Sequence, residues 1–165
     1  SGTGGGVVIN KKILTGSNHL AGEWGHISLP IFSLIADKKY VKKDMDKMQI
    51  QKFISGKGLE KLYRKKMTAH MIFNKKNKNH YDKKFIKNFK LRLARSLTNI
   101  IYTLDPDAIV FGGGLSNEIT FLNEIKKLLV KNLKIKQLNT VFLKPEFGDA
   151  SGVRGAALLG RKSIY

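Results

Sequence analysis

Apolar residues recur at three- and four-residue spacing in one long stretch: Phe85, Phe89, Leu93, Leu97, Ile100 and Leu104, with Leu91, Ala94 and Ile101 widening the stripe. That period predicts an amphipathic helix. Asp105-Pro106-Asp107 ends it, because proline cannot continue a helix and disfavours helical backbone in the residue before it. Ile50, Phe53, Ile54, Leu59, Leu62 and Tyr63 predict a second helix, interrupted near Gly56 and Gly58. A third is expected on Phe121, Leu122, Ile125, Leu128, Leu129 and Leu133, capped by Asn117. Short apolar runs predict strands: Val7-Val8-Ile9, which reads as buried, its return strand Ile13-Leu14 after the turn Asn10-Lys11-Lys12, then Ala108-Ile109-Val110-Phe111 and Thr140-Val141-Phe142-Leu143. The wholly apolar run at 108–111 suits a strand covered on both faces. Gly148-Asp149-Ala150-Ser151-Gly152 reads as a turn before a final helix beginning near Ala156. Residues 15–30 read as loop with one helical turn, residues 31–49 have no clean period, and residues 74–84 read as a polar loop. Strand alternating with helix in the second half predicts an α/β fold with a parallel element.

The chain has 165 residues, 42% of them hydrophobic and only 3 of them proline, which is a globular composition and suits a single domain. No run of apolar residues is long enough for a membrane span. The first residues have neither the basic nor the apolar region of a signal peptide, and the absence of an initiator Met predicts a processed chain or a fragment. Cysteine is absent, so disulfides and thiolate metal sites are excluded and a cytoplasmic setting is the simplest expectation.

A net charge of +19 raises the alternative of a basic nucleic-acid-binding module. The detail opposes it. Of the 31 basic residues 26 are Lys and 5 are Arg, and the lysines are spread along the chain. Base-edge and bidentate phosphate recognition favours Arg. Compositional drift explains the lysines better than a dedicated surface does, and no specific nucleic acid is expected.

Two segments point to phosphate chemistry. Gly2-Thr3-Gly4-Gly5-Gly6 runs into a strand, and consecutive glycines let backbone N–H groups approach an anion. No Lys-Ser or Lys-Thr closes the segment, so it is not a Walker loop. Gly112-Gly113-Gly114 lies between a strand and a helix, where nucleotides commonly sit. Either segment alone reads slightly better as a tight turn, but the two together in one α/β chain favour a nucleotide. Glu23 and His26, three residues apart in one loop, could meet sugar hydroxyls or a metal, or be ordinary surface residues. Asp149 and Arg154 flank Gly152 and could form a local ion pair, worth ~0–1 kcal/mol at a surface.

Taken in series, Gly2-Thr3-Gly4-Gly5-Gly6, Ala21-Gly22-Glu23-Trp24-Gly25-His26, Phe53-Ile54-Ser55-Gly56-Lys57-Gly58, Leu104-Asp105-Pro106-Asp107 with Ile109 to Asn117, and Gly148 to Ala157 resemble the C-terminal half of ROK-family sugar kinases. The nearest subgroup reads as bacterial fructokinase and mannokinase, with N-acetylglucosamine kinase second. The resemblance implies an actin-like, ribonuclease-H-like ATPase fold, of which residues 1–165 would be the C-terminal lobe. It implies MgATP as cofactor and transfer of phosphate to the 6-hydroxyl of a hexose, fructose or mannose favoured. By resemblance Gly2, Thr3 and Gly4 contact phosphates, Gly112, Gly113 and Gly114 lie near adenine and ribose, and Glu23 and His26 hold the sugar. A homodimer is compatible with the family.

Three departures qualify the resemblance. The family's Asp-x-Gly-Gly-Thr loop and the Asn-Asp pair that supplies its base do not occur in this chain, so no catalytic residue is expected here and the N-terminal lobe is expected to be absent. The strand that leads into the glycine segment is also missing, which predicts an unpaired edge and either marginal stability or self-association. The family's zinc-binding cysteines fall on Lys42, Asp44 and Gln49, so zinc is not expected. A sugar-contacting Glu falls on Gln51, which could still bond a hydroxyl. Inactivity of this chain alone, as a remnant or as a sugar-sensing regulator, stands beside the kinase reading.

Overall fold

The computed structural model of the chain describes residues 2–29, 48–63 and 66–162. Contacts divide the chain into two compact units, Ser1–Leu97 and Thr98–Tyr165.

In the first unit the glycine-rich segment enters an antiparallel hairpin of β1 (Val8–Ile9) and β2 (Lys12–Ile13). Asn10 and Lys11 both take left-handed backbone at φ 51° and 64°, the mirror-image turn whose twist matches a hairpin. The expectation that this strand is buried is corrected: Val8 is 67% and Ile13 59% exposed. A continuous apolar run is buried only when layers cover both of its faces, and among the described residues none covers this two-stranded ribbon.

A 3₁₀ turn at Trp24–His26 supplies the one helical turn expected in residues 15–30. The chain then pairs Ser28 with Gln49 in an isolated antiparallel bridge, closed by Leu29 N–H donating to the Met48 carbonyl at 2.7 Å and Ile50 N–H to that of Ile27 at 2.8 Å. Helix α1 (Gln51–Ile54) and helix α2 (Gly56–Tyr63) follow. The interruption falls at Ser55, whose backbone is extended at ψ 159°. Its hydroxyl donates to the Gln51 carbonyl at 2.5 Å and accepts from Gly58 N–H at 3.0 Å, so one side chain closes the first helix and opens the second.

Helix α3 (Ala69–Asn74) is an element that periodicity did not reveal; Thr68 caps it by accepting from Met71 N–H. Helix α4 runs over His80–Leu104. Its end agrees with the Asp105-Pro106 stop, but it starts five residues earlier than its apolar stripe, which corrects the reading of 74–84 as loop. The cause is a capping box. Asn79 Oδ1 accepts from Asp82 N–H and an Asp82 carboxylate oxygen accepts from Asn79 N–H, each at 3.0 Å.

Asp82 is fully buried and also accepts from Tyr63 Oη and Lys75 Nζ, both at 2.5 Å. These bonds hold its carboxyl down at about 2. The rings of Tyr63, Tyr81 and Phe85 pack against one another, with Tyr63 and Phe85 edge to face at 5.0 Å. The core below is Leu29, Met48, Ile50, Phe53, Leu59, Ile72, Phe89, Leu93 and Leu97, all nearly inaccessible. Each such side chain contributes about 1.5–3 kcal/mol, which explains why the α4 stripe was visible in the sequence.

The second unit holds β3 (Ala108–Val110) paired in parallel with β4 (Val141–Leu143), as expected for an α/β chain. Cover on both faces of β3 is not found among the described residues: Val110 is 57% and Val141 48% exposed. Helix α5 (Leu122–Leu133) buries Ile125, Leu129 and Leu133 as its stripe predicts. Asn117 does not cap it. That residue lies inside a 3₁₀ segment, Gly114–Glu118, and α5 begins after Phe121 without a side-chain cap. Helix α6 (Ser151–Lys162) starts earlier than Ala156, directly after a 3₁₀ turn at Gly148–Ala150. Among the described residues no helix is long and apolar enough to cross a membrane; the 25 residues of α4 are amphipathic instead.

Candidate functional site

The candidate residues of the first unit come together. Gly22 has φ +91°, a backbone that L side chains rarely adopt. A Cβ there would also lie 2.6 Å from the Gly5 carbonyl oxygen. Gly25 is buried, and a Cβ on it would collide with the Thr3 carbonyl oxygen. The glycine-rich segment and the Glu23–His26 loop therefore run backbone against backbone, at a separation that only glycine permits. The Trp24 ring lies beside Gly5, where a Cβ would come within 2.6 Å of Cδ1. Gln51, the first residue of α1, touches both: its Oε1 faces Gly2, and its Cβ would be 3.2 Å from a Cβ on Gly25.

Two parts of this assembly are open. Gly4 and Gly6 have nothing within 4 Å of an added Cβ, so the backbone N–H groups beside them can be reached by an anion such as a nucleotide phosphate. Glu23 and His26 side chains stand 46% and 61% exposed, with Oε2 and Nε2 3.7 Å apart. A pair that exposed adds little stability, and its acceptors and donors remain available to a polyol. Gln51 is half-buried and donates from Nε2 to Gln49 Oε1 at 3.1 Å. Of the positions where a zinc site would have fallen, Lys42 and Asp44 lie outside the described residues. Among the described residues no three His, Cys, Asp or Glu side chains converge on a metal position.

In the second unit Gly112, Gly113 and Gly114 follow β3 directly. Gly113 takes φ +78° and its carbonyl accepts from both Ser116 N–H, at 2.9 Å, and Ser116 Oγ, at 2.7 Å. None of the three has an atom within 4 Å of an added Cβ. This is room for a ligand that lies flat on backbone. Arg154 does not stand alone: its guanidinium is 3.8 Å from the Phe147 ring centroid, a cation–π contact. The side chain of Asp149 lies outside the described residues.

Two solved structures share the fold of this α/β chain. The ROK hexokinase from Thermus thermophilus superposes with a TM-score of 0.76, at 19% identity over 98% of this chain and 55% of that one. A ROK family glucokinase from Streptomyces griseus, solved with glucose and AMPPNP, gives 0.70 at 19% identity, over 98% of this chain and 58% of that one.

The model of the ROK family matches residues 1–163, and the chain belongs to that family. Among curated relatives, an N-acetyl-D-glucosamine kinase of Photobacterium profundum is 36% identical over 98% of this chain and 56% of its own length. That of Histophilus somni is 36% identical over 96% and 55%. The chain thus spans about half the length of the curated relatives it matches. These relatives reverse the expected order of subgroups, in which fructokinase and mannokinase came first. The blocks that carried the resemblance are rich in glycine, which has no side chain with which to tell one sugar from another.

Proposed function

We propose that the chain is part of a ROK sugar kinase that transfers phosphate from MgATP to the 6-hydroxyl of an N-acetylhexosamine. The observation that carries this reading is the contact of the Gly2–Gly6 segment with the Glu23–His26 loop, which puts an anion-accessible backbone beside an exposed carboxylate and imidazole. The relatives support the choice of sugar over fructose and mannose. ATP supplies the phosphoryl group. Gly2, Thr3 and Gly4 would receive its phosphates. Glu23 would accept from sugar hydroxyls, and His26 would donate or accept according to its tautomer.

Phosphoryl transfer needs positioning, charge neutralisation and a base for the attacking hydroxyl. The chain has no Asn-Asp pair to provide that base. Loss of a general base alone costs ~10²–10⁴-fold, so the chain acting by itself binds ligands with little turnover.

Calorimetric titration tests the sugar half. N-acetylglucosamine should bind more tightly than fructose or mannose, and Glu23→Ala should weaken it about tenfold or more, the effect of one lost charge-assisted hydrogen bond. Equal affinity for all three sugars, indifferent to Glu23, would refute the assignment.

A further inference from the structure

We infer that Gln51 is a positioning residue for the glycine-rich segment, fixing Gly2 and Thr3 from behind and setting affinity for phosphate, not for sugar. The inference rests on the reading of Gly2, Thr3 and Gly4 as the phosphate site.

A side chain that binds a substrate must turn its polar atoms towards it. Gln51 turns them towards the chain itself. Its Oε1 lies so close to Gly2 that a Cβ there would collide with it. Its Nε2 donates to Gln49 Oε1 at 3.1 Å. Its Cβ packs at Gly25, whose own Cα is pressed against the Thr3 carbonyl. One side chain therefore touches both backbones of the candidate site.

Gln51 is also anchored. It opens α1, its carbonyl accepts from Ser55 Oγ at 2.5 Å, and the preceding residue is tied to the Glu23–His26 side by Ile50 N–H donating to the Ile27 carbonyl at 2.8 Å. Gln49 is held in the bridge to Ser28. The Gln49–Gln51 pair is thus a fixed post, and the glycine segment, which has no side-chain packing of its own beyond Thr3, rests on it. Removing the carboxamide leaves Gly2 without that support. Glycine-rich backbone has the most conformational freedom to regain, and an anion then has to order it again on binding.

Trp24 is the sole tryptophan and its ring lies against Gly5, so it reports on the segment without any ligand. In Gln51→Ala, amide exchange of Thr3 to Gly6 should quicken, because the packing of the carboxamide against Gly2 is lost. Acrylamide quenching of Trp24 should increase in the same variant. Gln49→Ala, which spares the contact with Gly2, should move both in the same direction by less. Gln51→Glu keeps an oxygen beside Gly2 and can accept from the Gln49 amide, and should restore wild-type exchange.

Titration then separates the roles. In Gln51→Ala the affinity for AMPPNP should fall about tenfold while that for N-acetylglucosamine stays within about twofold. Unchanged exchange and quenching in Gln51→Ala overturn the inference. So does a fall in sugar affinity with nucleotide affinity intact, which would make Gln51 a sugar contact. A wild-type chain that binds no AMPPNP refutes the phosphate reading and the effect on phosphate affinity with it; exchange and quenching still decide whether Gln51 holds the segment.

Discussion

An added Cβ at Gly2, Gly22 or Gly25 would strike a neighbouring side chain or backbone oxygen, whereas at Gly112, Gly113 and Gly114 it would meet nothing within 4 Å. Both segments were read from the sequence as phosphate-binding by the same property, consecutive glycines. The structure gives them different work. In the first unit, glycine lets two loops and the start of α1 close on one another, so the segment has a defined shape before any ligand arrives. In the second, glycine clears a surface after β3, and the one strained position, Gly113, is held by Ser116. The first segment combines packed glycines with the open Gly4 and Gly6, whereas the second is open throughout, a distinction that composition cannot express.

The sharpest way to break this comparison is Gly22→Ala. It adds unfavourable backbone at φ +91° to a clash with the Gly5 carbonyl, and should cost about 3 kcal/mol by urea unfolding. Gly25→Ala, which lacks the strained φ but drives into the Thr3 carbonyl, should follow at about 2 kcal/mol. A loss below about 0.5 kcal/mol in both would mean that the two loops are not packed as described.

A second test concerns the base of the first unit, where the buried carboxylate makes stability depend on pH. Asp82 is held down at about 2, first by its bond from Lys75 and then by that from Tyr63, against an ordinary 3.8. The folded chain binds this proton more weakly than the unfolded chain. The contribution is therefore complete above pH ~4 and is lost as pH falls from about 4 towards 2. Tyr63 is pushed up to about 12, by burial first and then by its bond to Asp82. Its contribution holds below pH ~10 and is lost as pH rises from about 10 towards 12. Urea midpoints across this range should show both limbs in the wild type, and Tyr63→Phe should lack the alkaline one.

The smallest effect is expected in the second unit. Gly112→Ala and Gly114→Ala meet no atoms and have no strained φ, so stability should change by less than about 0.5 kcal/mol, or rise slightly as the unfolded chain loses freedom.

Much of the fold was legible because one face of each main helix is buried. The stripe Phe85, Phe89, Leu93, Leu97 named α4, and Ile125, Leu129, Leu133 named α5. The start of α4 was missed because a lysine-rich run masked the Asn79-x-x-Asp82 spacing, which is itself the signal. The cap of α5 was misplaced because the turn after Gly113 draws Ser116 and Asn117 into a 3₁₀ segment. The exposure of β1 and β3 was not legible, since an apolar run implies cover but does not say where the covering residues come from. At the candidate site, spacing alone brought Glu23 and His26 together. The approach of Gly2 and Thr3 to Gly25 and Gln51 joins residues far apart in the chain, and no local pattern records it.

The most direct test of the account is an amide NMR titration of the chain with AMPPNP. The account predicts shifts at Thr3 to Gly6 and at the Trp24 indole N–H. Shifts confined to exposed lysines, with the glycine segment and Trp24 unmoved, would contradict it.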